Sequence, residues 1–218
     1  MAKTKKPAES VVSDGNQKIG KTPNVSLLPI VTCAKDVPCA EKCYCMKALR
    51  TYPEVLKKWY ANTVKWNKYP HEFRNDIEEC LAKEPEYFRW FVAGDIPDDR
   101  FRSMMIRLAV NYPMTKFLAF TKQYWLFGDH VHGNGFTWYP RSFLGIPDNL
   151  TIIMSRWGDW CDNMFSSPTL EYPTSSVIFK GGHTPSNTAT RFVCPGKCEG
   201  CRKCWGLNVG QTVMFEEH

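Results

Sequence analysis

Eight of the ten cysteines in this 218-residue chain fall into two groups, and thiols at such spacing do metal chemistry. The later group is Cys194-Pro195, Cys198, Cys201 and Cys204, a C-x3-C-x2-C-x2-C series. Two-residue spacings let consecutive thiolates wrap one centre, as in ferredoxin loops, which also pair a cysteine with a following proline. Gly196, Gly200 and Gly206 permit a tight backbone, and Lys197, Arg202 and Lys203 offset the negative charge of a thiolate-ligated centre. The expectation is a four-iron cluster, with zinc in a tetrahedron of the same four cysteines as the alternative.

The earlier group runs Cys33-x5-Cys39-x3-Cys43-Tyr44-Cys45. Three cysteines would hold a four-iron cluster and leave one iron open to a small molecule. A single residue between Cys43 and Cys45 is a cramped reach for separate irons, so Cys33, Cys39 and Cys43 are the expected ligands and Cys45 a spare buried thiol. One cluster shared by both groups is also compatible with the spacing. His218 is a further candidate ligand if the closing strand returns to a cluster. Cys80 and Cys161 read as packing residues, as do Met104 and Met105. His130, His132 and His183 stand in loops, where a histidine is usually neither ligand nor proton shuttle.

Composition bounds the rest. No apolar run approaches the ~18 residues needed to cross a bilayer, and the leading lysines precede no signal-peptide core. The expectation is a cytoplasmic protein with no membrane partner. In that compartment thiols stay reduced, which favours metal ligation over the alternative of five disulfides. The formal charge is +6, and residues 1–22 contribute five lysines against Glu9 and Asp14. That stretch reads as a flexible basic tail, with nucleic acid as a secondary partner. Residues 23–218 read as a single α/β iron–sulfur domain, with 193–206 its cysteine-rich metal-binding loop. There is no phosphate-binding glycine loop, no H-E-x-x-H and no nucleophile elbow, so hydrolase and nucleotide-triphosphate readings lack support.

Elements must position these groups. Residues 26–32 (SLLPIVT) read as a buried strand leading to Cys33. From 52 to 83 the pattern is helical, with Pro53 in a first turn and Pro70 dividing it into two helices. Residues 87–93, 116–121, 149–155 and 175–180 read as strands, 98–112 as a helix, and 191–194 and 211–215 as short closing strands. Strands separated by helices or long connections imply crossover units. The expected fold class is α/β: a partial (βα) barrel or strongly curved mainly parallel sheet with a cysteine-rich C-terminal segment. Ligands of such sheets sit at the carboxyl ends of the strands, where Cys33, Gly94-Asp95, Thr121-Lys122 and Ser155-Arg156 would collect. Asp95 reads equally well as a helix cap, and Lys122 and Arg156 as surface charges at strand ends.

A strand ending in three cysteines, with Tyr44 beside the last, resembles the radical S-adenosylmethionine enzymes. The resemblance implies that the open iron chelates the methionine part of that cofactor, that Tyr44 lies near its adenine, and that Gly94-Asp95 contacts its amine. Lys122 joins them as a candidate contact to a carboxylate or phosphate. The spacing departs from the C-x3-C-x2-C of those enzymes. A closer resemblance is to the phage gene product eighty-eight family, carried by GKTPNVSLLP, CY-x-x-K followed by YPEV, AGDI, FTK, the closing CxxCxxCW and VMFEEH. It covers nearly all of residues 18–218 and implies the cytoplasm of an infected host cell. The resulting expectation is a radical S-adenosylmethionine-like enzyme with one or two clusters, an unidentified substrate and an electron donor. The alternative is a non-catalytic iron–sulfur or zinc metalloprotein, acting as an electron carrier or as a structural, nucleic-acid-associated phage protein.

Overall fold

A computed structural model of the chain describes residues 9–35, 37–131, 135–156, 171–183 and 186–217. Its elements in order are β1 (Val12–Ser13), β2 (Asn24–Val25), α1 (Tyr44–Thr51), α2 (Pro53–Lys68), α3 (Pro70–Leu81), β3 (Tyr87–Trp90), α4 (Asp99–Asn111), β4 (Lys116–Thr121), β5 (Gly128–Val131), β6 (Gly135–Trp138), β7 (Leu150–Ser155), β8 (Thr174–Ile178), β9 (Arg191–Val193) and β10 (Thr212–Glu216).

Local chemistry explains the helices. Pro53 and Pro70 open α2 and α3, where a missing N–H costs nothing, and Tyr69 closes the one and caps the other. Phe73, Ile77 and Leu81 form the buried stripe of α3. Asp98 caps α4 by accepting the Phe101 amide at 2.8 Å, and Phe101, Met104, Met105, Leu108 and Ala109 face the core.

Eight strands form one sheet in the order β1-β2-β3-β4-β7-β8-β10-β9, all parallel except the β1–β2 pair; β5 and β6 make a separate antiparallel hairpin. From β2 to β8 each strand is added on the same side as the last, the winding order of a (βα) barrel. The order has two ends, β1 and β9, so this sheet is open. The mainly parallel α/β class holds.

Strand alternation then separates two faces. Phe88 and Trp90 of β3, Phe117 and Ala119 of β4, and Leu150, Ile152 and Met154 of β7 join the helices in the main core. The alternate residues Tyr87, Leu118, Phe120 and Ile153 face the other way, where Trp205, Leu207, Cys194, Cys198 and Cys204 cover them. The helices lie on one face and the cysteine-rich loop on the other. Burial on both faces is why β4 and β7 read as continuous apolar runs.

Two expectations change. Residues 26–32 are not a strand: regular pairing stops at Val25, opposite the end of β3 at Trp90 where Phe91 takes φ 56°, and Pro29 and Ile30, the latter at φ 70°, then carry the chain into a turn. Residues 9–22, expected within a flexible tail, are packed where described. Val11 and Ile19 are buried; Asn62 of α2 donates to the Val11 carbonyl at 3.0 Å, and Asp76 of α3 accepts the Val11 amide at 2.8 Å.

Candidate metal centre

The earlier cysteine group sits at the carboxyl ends of β2, β3 and β4. Beyond Val25 one backbone bond continues, the Leu27 amide donating to the Ala93 carbonyl at 3.1 Å, and side chains do the rest of the holding. Ser26 Oγ accepts the Val92 and Ala93 amides at 3.1 and 3.4 Å, and Thr63 Oγ1 of α2 accepts the Leu28 amide at 2.8 Å. Thr32 is the staple: its hydroxyl donates to the Leu28 carbonyl at 2.9 Å and accepts the Asp95 amide at 3.2 Å, while its carbonyl accepts Gln123 Nε2 at 3.1 Å. Cys33 follows directly, its Sγ accepting the Ile30 amide at 3.3 Å. Cys39 lies in the 3-10 turn Pro38–Ala40, and Cys43 precedes α1 as its N-cap.

Electrostatics groups these thiols further. Burial, then the neighbouring Asp95 carboxylate, pushes the Cys33 thiol up to about 11, and the charges of Cys39 and Cys43 act in the same direction. Cys43 is pulled the other way, down to about 6. The hydrogen bond from the Cys45 side chain is the main cause, helped by the Cys45 and Met46 amides and the charge of Lys122. A thiolate at a helix N-terminus is the setting of a metal ligand or a nucleophile. Cys45 is buried, and its hydrogen bond with Cys43 pushes its thiol up.

Asp95 is 6% exposed and ties β3 to β4: Oδ1 accepts the Ile96 amide at 2.7 Å and Oδ2 the Lys122 amide at 2.8 Å. Burial holds its carboxyl up at about 6 despite these donors. Gly94 adopts φ +77°, and a Cβ there would stand 2.7 Å from Thr32 Oγ1 and 2.8 Å from the Leu27 carbonyl oxygen. Close approach of the β3 end to the loop before Cys33 therefore demands glycine. The Tyr44 ring is 58% exposed while its hydroxyl donates to the Val92 carbonyl at 2.7 Å, and the Lys18 ammonium stands 5.8 Å from the ring centre.

The later group lies on the opposite sheet face. Trp205 anchors it: its indole N–H donates to the Phe88 carbonyl at 3.1 Å and its carbonyl accepts the Thr151 hydroxyl at 3.0 Å. Cys198 donates its amide to the Lys18 carbonyl at 2.8 Å, and Cys194 Sγ accepts the Gly196 amide at 3.4 Å. Gly196 and Gly200 take φ +82° and +80°, the turns expected of them. Burial pushes Cys204 up to about 12 and raises Cys198, while the Arg89 charge pulls both down. A cleft of about 390 Å³ opens beside Cys194, lined also by Lys18, Phe215 and Glu216.

Cys33 lies within electrostatic reach of Asp95, Cys39 and Cys43, Lys122 of Cys43, and Cys204 of Cys194, Cys198 and Cys201. Among the described residues, no three Cys, His, Asp or Glu side chains close at metal-ligating distance. The donor set nevertheless fits a thiophilic centre: it is thiol-rich, and backbone N–H groups already point at Cys33, Cys43 and Cys194 sulfurs, as second-shell donors to a thiolate cluster do. Cys161, His132 and His218 lie outside the described residues. The residues that sequence reasoning missed are Thr32, Gln123 and Arg89. The first two carry no spacing signal, but Arg89 did: it is the one charge inside the apolar run YFRWFVA, in phase with Tyr87.

A family model described as gene product 88 matches residues 2–205, a span holding both cysteine groups. The chain belongs to the gene product 88 family. Membership makes it a phage-type protein and by itself assigns no reaction. No curated protein and no solved structure matches the chain. Among the described residues, no helix of this family member is long and apolar enough to cross a membrane.

Proposed function

We propose that this gene product 88 protein is an iron–sulfur protein of radical S-adenosylmethionine-like type, with a first cluster on Cys33, Cys39 and Cys43 and a second metal centre on Cys194, Cys198, Cys201 and Cys204. The observation that carries the reading is the meeting of the first three thiols with Asp95 and Lys122 at the carboxyl edge of a sheet wound in barrel order. Cys33, Cys39 and Cys43 would hold a four-iron cluster there, which, reduced by an external electron donor, would supply one electron to the sulfonium of S-adenosylmethionine, so that a carbon–sulfur bond breaks to give methionine and a carbon radical able to take hydrogen from a substrate.

The chain's own residues hold and orient. Cys43, already drawn towards thiolate, gives up its proton more readily than Cys33, which loses its own only as metal displaces it. Asp95 accepts the Ile96 and Lys122 amides and the Thr121 hydroxyl, and a carboxylate, with its two oxygens able to take several donors, keeps capacity for an amine beside them. Lys122 offers its ammonium to a carboxylate, and Tyr44 presents an exposed ring face for stacking.

A second reading, zinc in the later group, is favoured by the way that loop covers the sheet face, since a zinc staple would hold such a cover without redox chemistry. Iron, sulfide and zinc are measured after anaerobic purification, with paramagnetic resonance of the reduced protein before and after S-adenosylmethionine. Iron with a spectrum shifted by the cofactor is the expected result. Iron without a shift removes the radical chemistry, and zinc alone removes the cluster.

A further inference from the structure

We propose that Arg89 is the internal counter-ion of the thiolate-ligated centre held by Cys194, Cys198, Cys201 and Cys204. The inference rests on the metal reading above and deepens it by assigning a positioning residue to the second centre.

Arg89 occupies the middle of β3, pointing with Tyr87 away from the helices and towards the cysteine-rich loop. Its guanidinium stands 4.5 Å from the centre of the Phe120 ring. Its Nε is withdrawn from solvent and finds no hydrogen-bond partner, and no carboxylate among the described residues pairs with it. A cation held against an apolar sheet face gives up hydration without return unless an anion faces it. The groups within reach of its charge are Cys194, Cys198, Cys204 and the Tyr44 hydroxyl. Four thiolates around a divalent ion, or around a four-iron cluster, carry net negative charge, and a guanidinium, being weakly hydrated, is the cation best suited to meet it in a dry setting. Arg202 also reaches Cys198 with its charge but is engaged elsewhere: its Nη1 donates to Thr22 Oγ1 at 2.5 Å and its guanidinium lies 4.7 and 5.2 Å from the Tyr87 and Trp205 ring centres.

The test measures metal on the full chain, purified without oxygen, before and after chelator challenge. Arg89→Met, Arg89→Gln and Arg89→Lys are compared with wild type, and Cys43→Ala and Cys204→Ala mark the metal belonging to each centre. Arg89→Met and Arg89→Gln should hold the Cys204-dependent metal about tenfold or more weakly and keep the Cys43-dependent metal, the size expected of a second-shell loss. Arg89→Lys, which keeps the charge, should hold both. Circular dichroism checks folding, and the Gln and Lys pair decides if the Met chain does not fold. Wild-type retention in Arg89→Gln, or loss in Arg89→Lys as complete as in Arg89→Met, overturns the proposal. So does loss of the Cys43-dependent portion instead. Metal in the wild type with no effect of any Arg89 change sinks this inference alone, whereas a wild type without metal sinks the metal reading as well.

Discussion

Three residues at the carboxyl edge are held in protonation states that can be read from outside. Asp95 is a buried carboxyl raised from 3.8 to about 6. A folded-state value above the unfolded one means a contribution to stability that is complete below 3.8 and lost as pH rises through about 6. Asp95→Asn removes that titration. The unfolding free energy of wild type minus that of Asp95→Asn, from urea melts between pH 3 and 8, should therefore fall across that window and level off above it; a constant difference would refute the assignment. Cys43 has the opposite sign. Its depressed value contributes stability present above 9.0 and lost as pH falls through about 6, whereas Cys33 contributes below 9.0 and loses it as pH rises through about 11. Since only thiolates alkylate, iodoacetamide on metal-free protein should label Cys43 half-maximally near pH 6 and Cys33 only above pH 10, site by site in a peptide map. Equal labelling of the two at pH 7 would contradict the electrostatics described here.

At the scale of elements, the ends of strands matter more than the strands. Gly94 lets the end of β3 lie against Leu27 and Thr32, and this contact sets Asp95 beside Cys33. Gly94→Ala must relieve a 2.7 Å contact while holding φ +77°, so the β3 end should move away from the first cysteine group. The expected outcome is lost Cys43-dependent metal with Cys204-dependent metal intact; full loading at both centres would show that the close approach is dispensable. The elements around this corner were legible to different degrees. The strands 116–121 and 149–155 and the helices opened by Pro53, Pro70 and Asp98 followed from apolar runs, proline positions and leading acids, all local signals. The stretch 26–32 was misread because an apolar run ahead of a cysteine looks the same in a strand as in a loop held by side-chain hydrogen bonds to distant parts of the chain. Ser26, Thr32 and Thr63 do that holding across up to 67 residues of sequence, and no periodicity announces it.

The whole molecule is a sheet with two different coats. Helices cover one face, a layer implied by the alternation of strand and helix, and the cysteine-rich loop covers the other, which no local pattern implied. Spacing alone reads that loop as a metal knuckle standing by itself, yet Trp205 seats it on Phe88 and Thr151, and Cys198 hydrogen-bonds to Lys18 from the opposite end of the chain. The later cysteine group is therefore also a structural lid, and its stability and its metal should be linked. Trp205 is 4% exposed, and replacing so large a buried side chain by alanine costs ~3–5 kcal/mol. If the lid is seated mainly by the tryptophan, Trp205→Ala should lower the melting temperature of metal-free and metal-loaded protein alike. If bound metal contributes independently, it should offset part of that loss, because a ligand that binds only the folded state adds stability. The linked arrangement predicts a third pattern: Trp205→Ala destabilises the metal-free chain and in addition weakens the Cys204-dependent metal, because the sheet face that pre-arranges Cys198 and Cys204 is gone. Melting curves with and without chelator distinguish the three, and unchanged metal affinity in Trp205→Ala would mean that the loop forms its centre without the sheet beneath it.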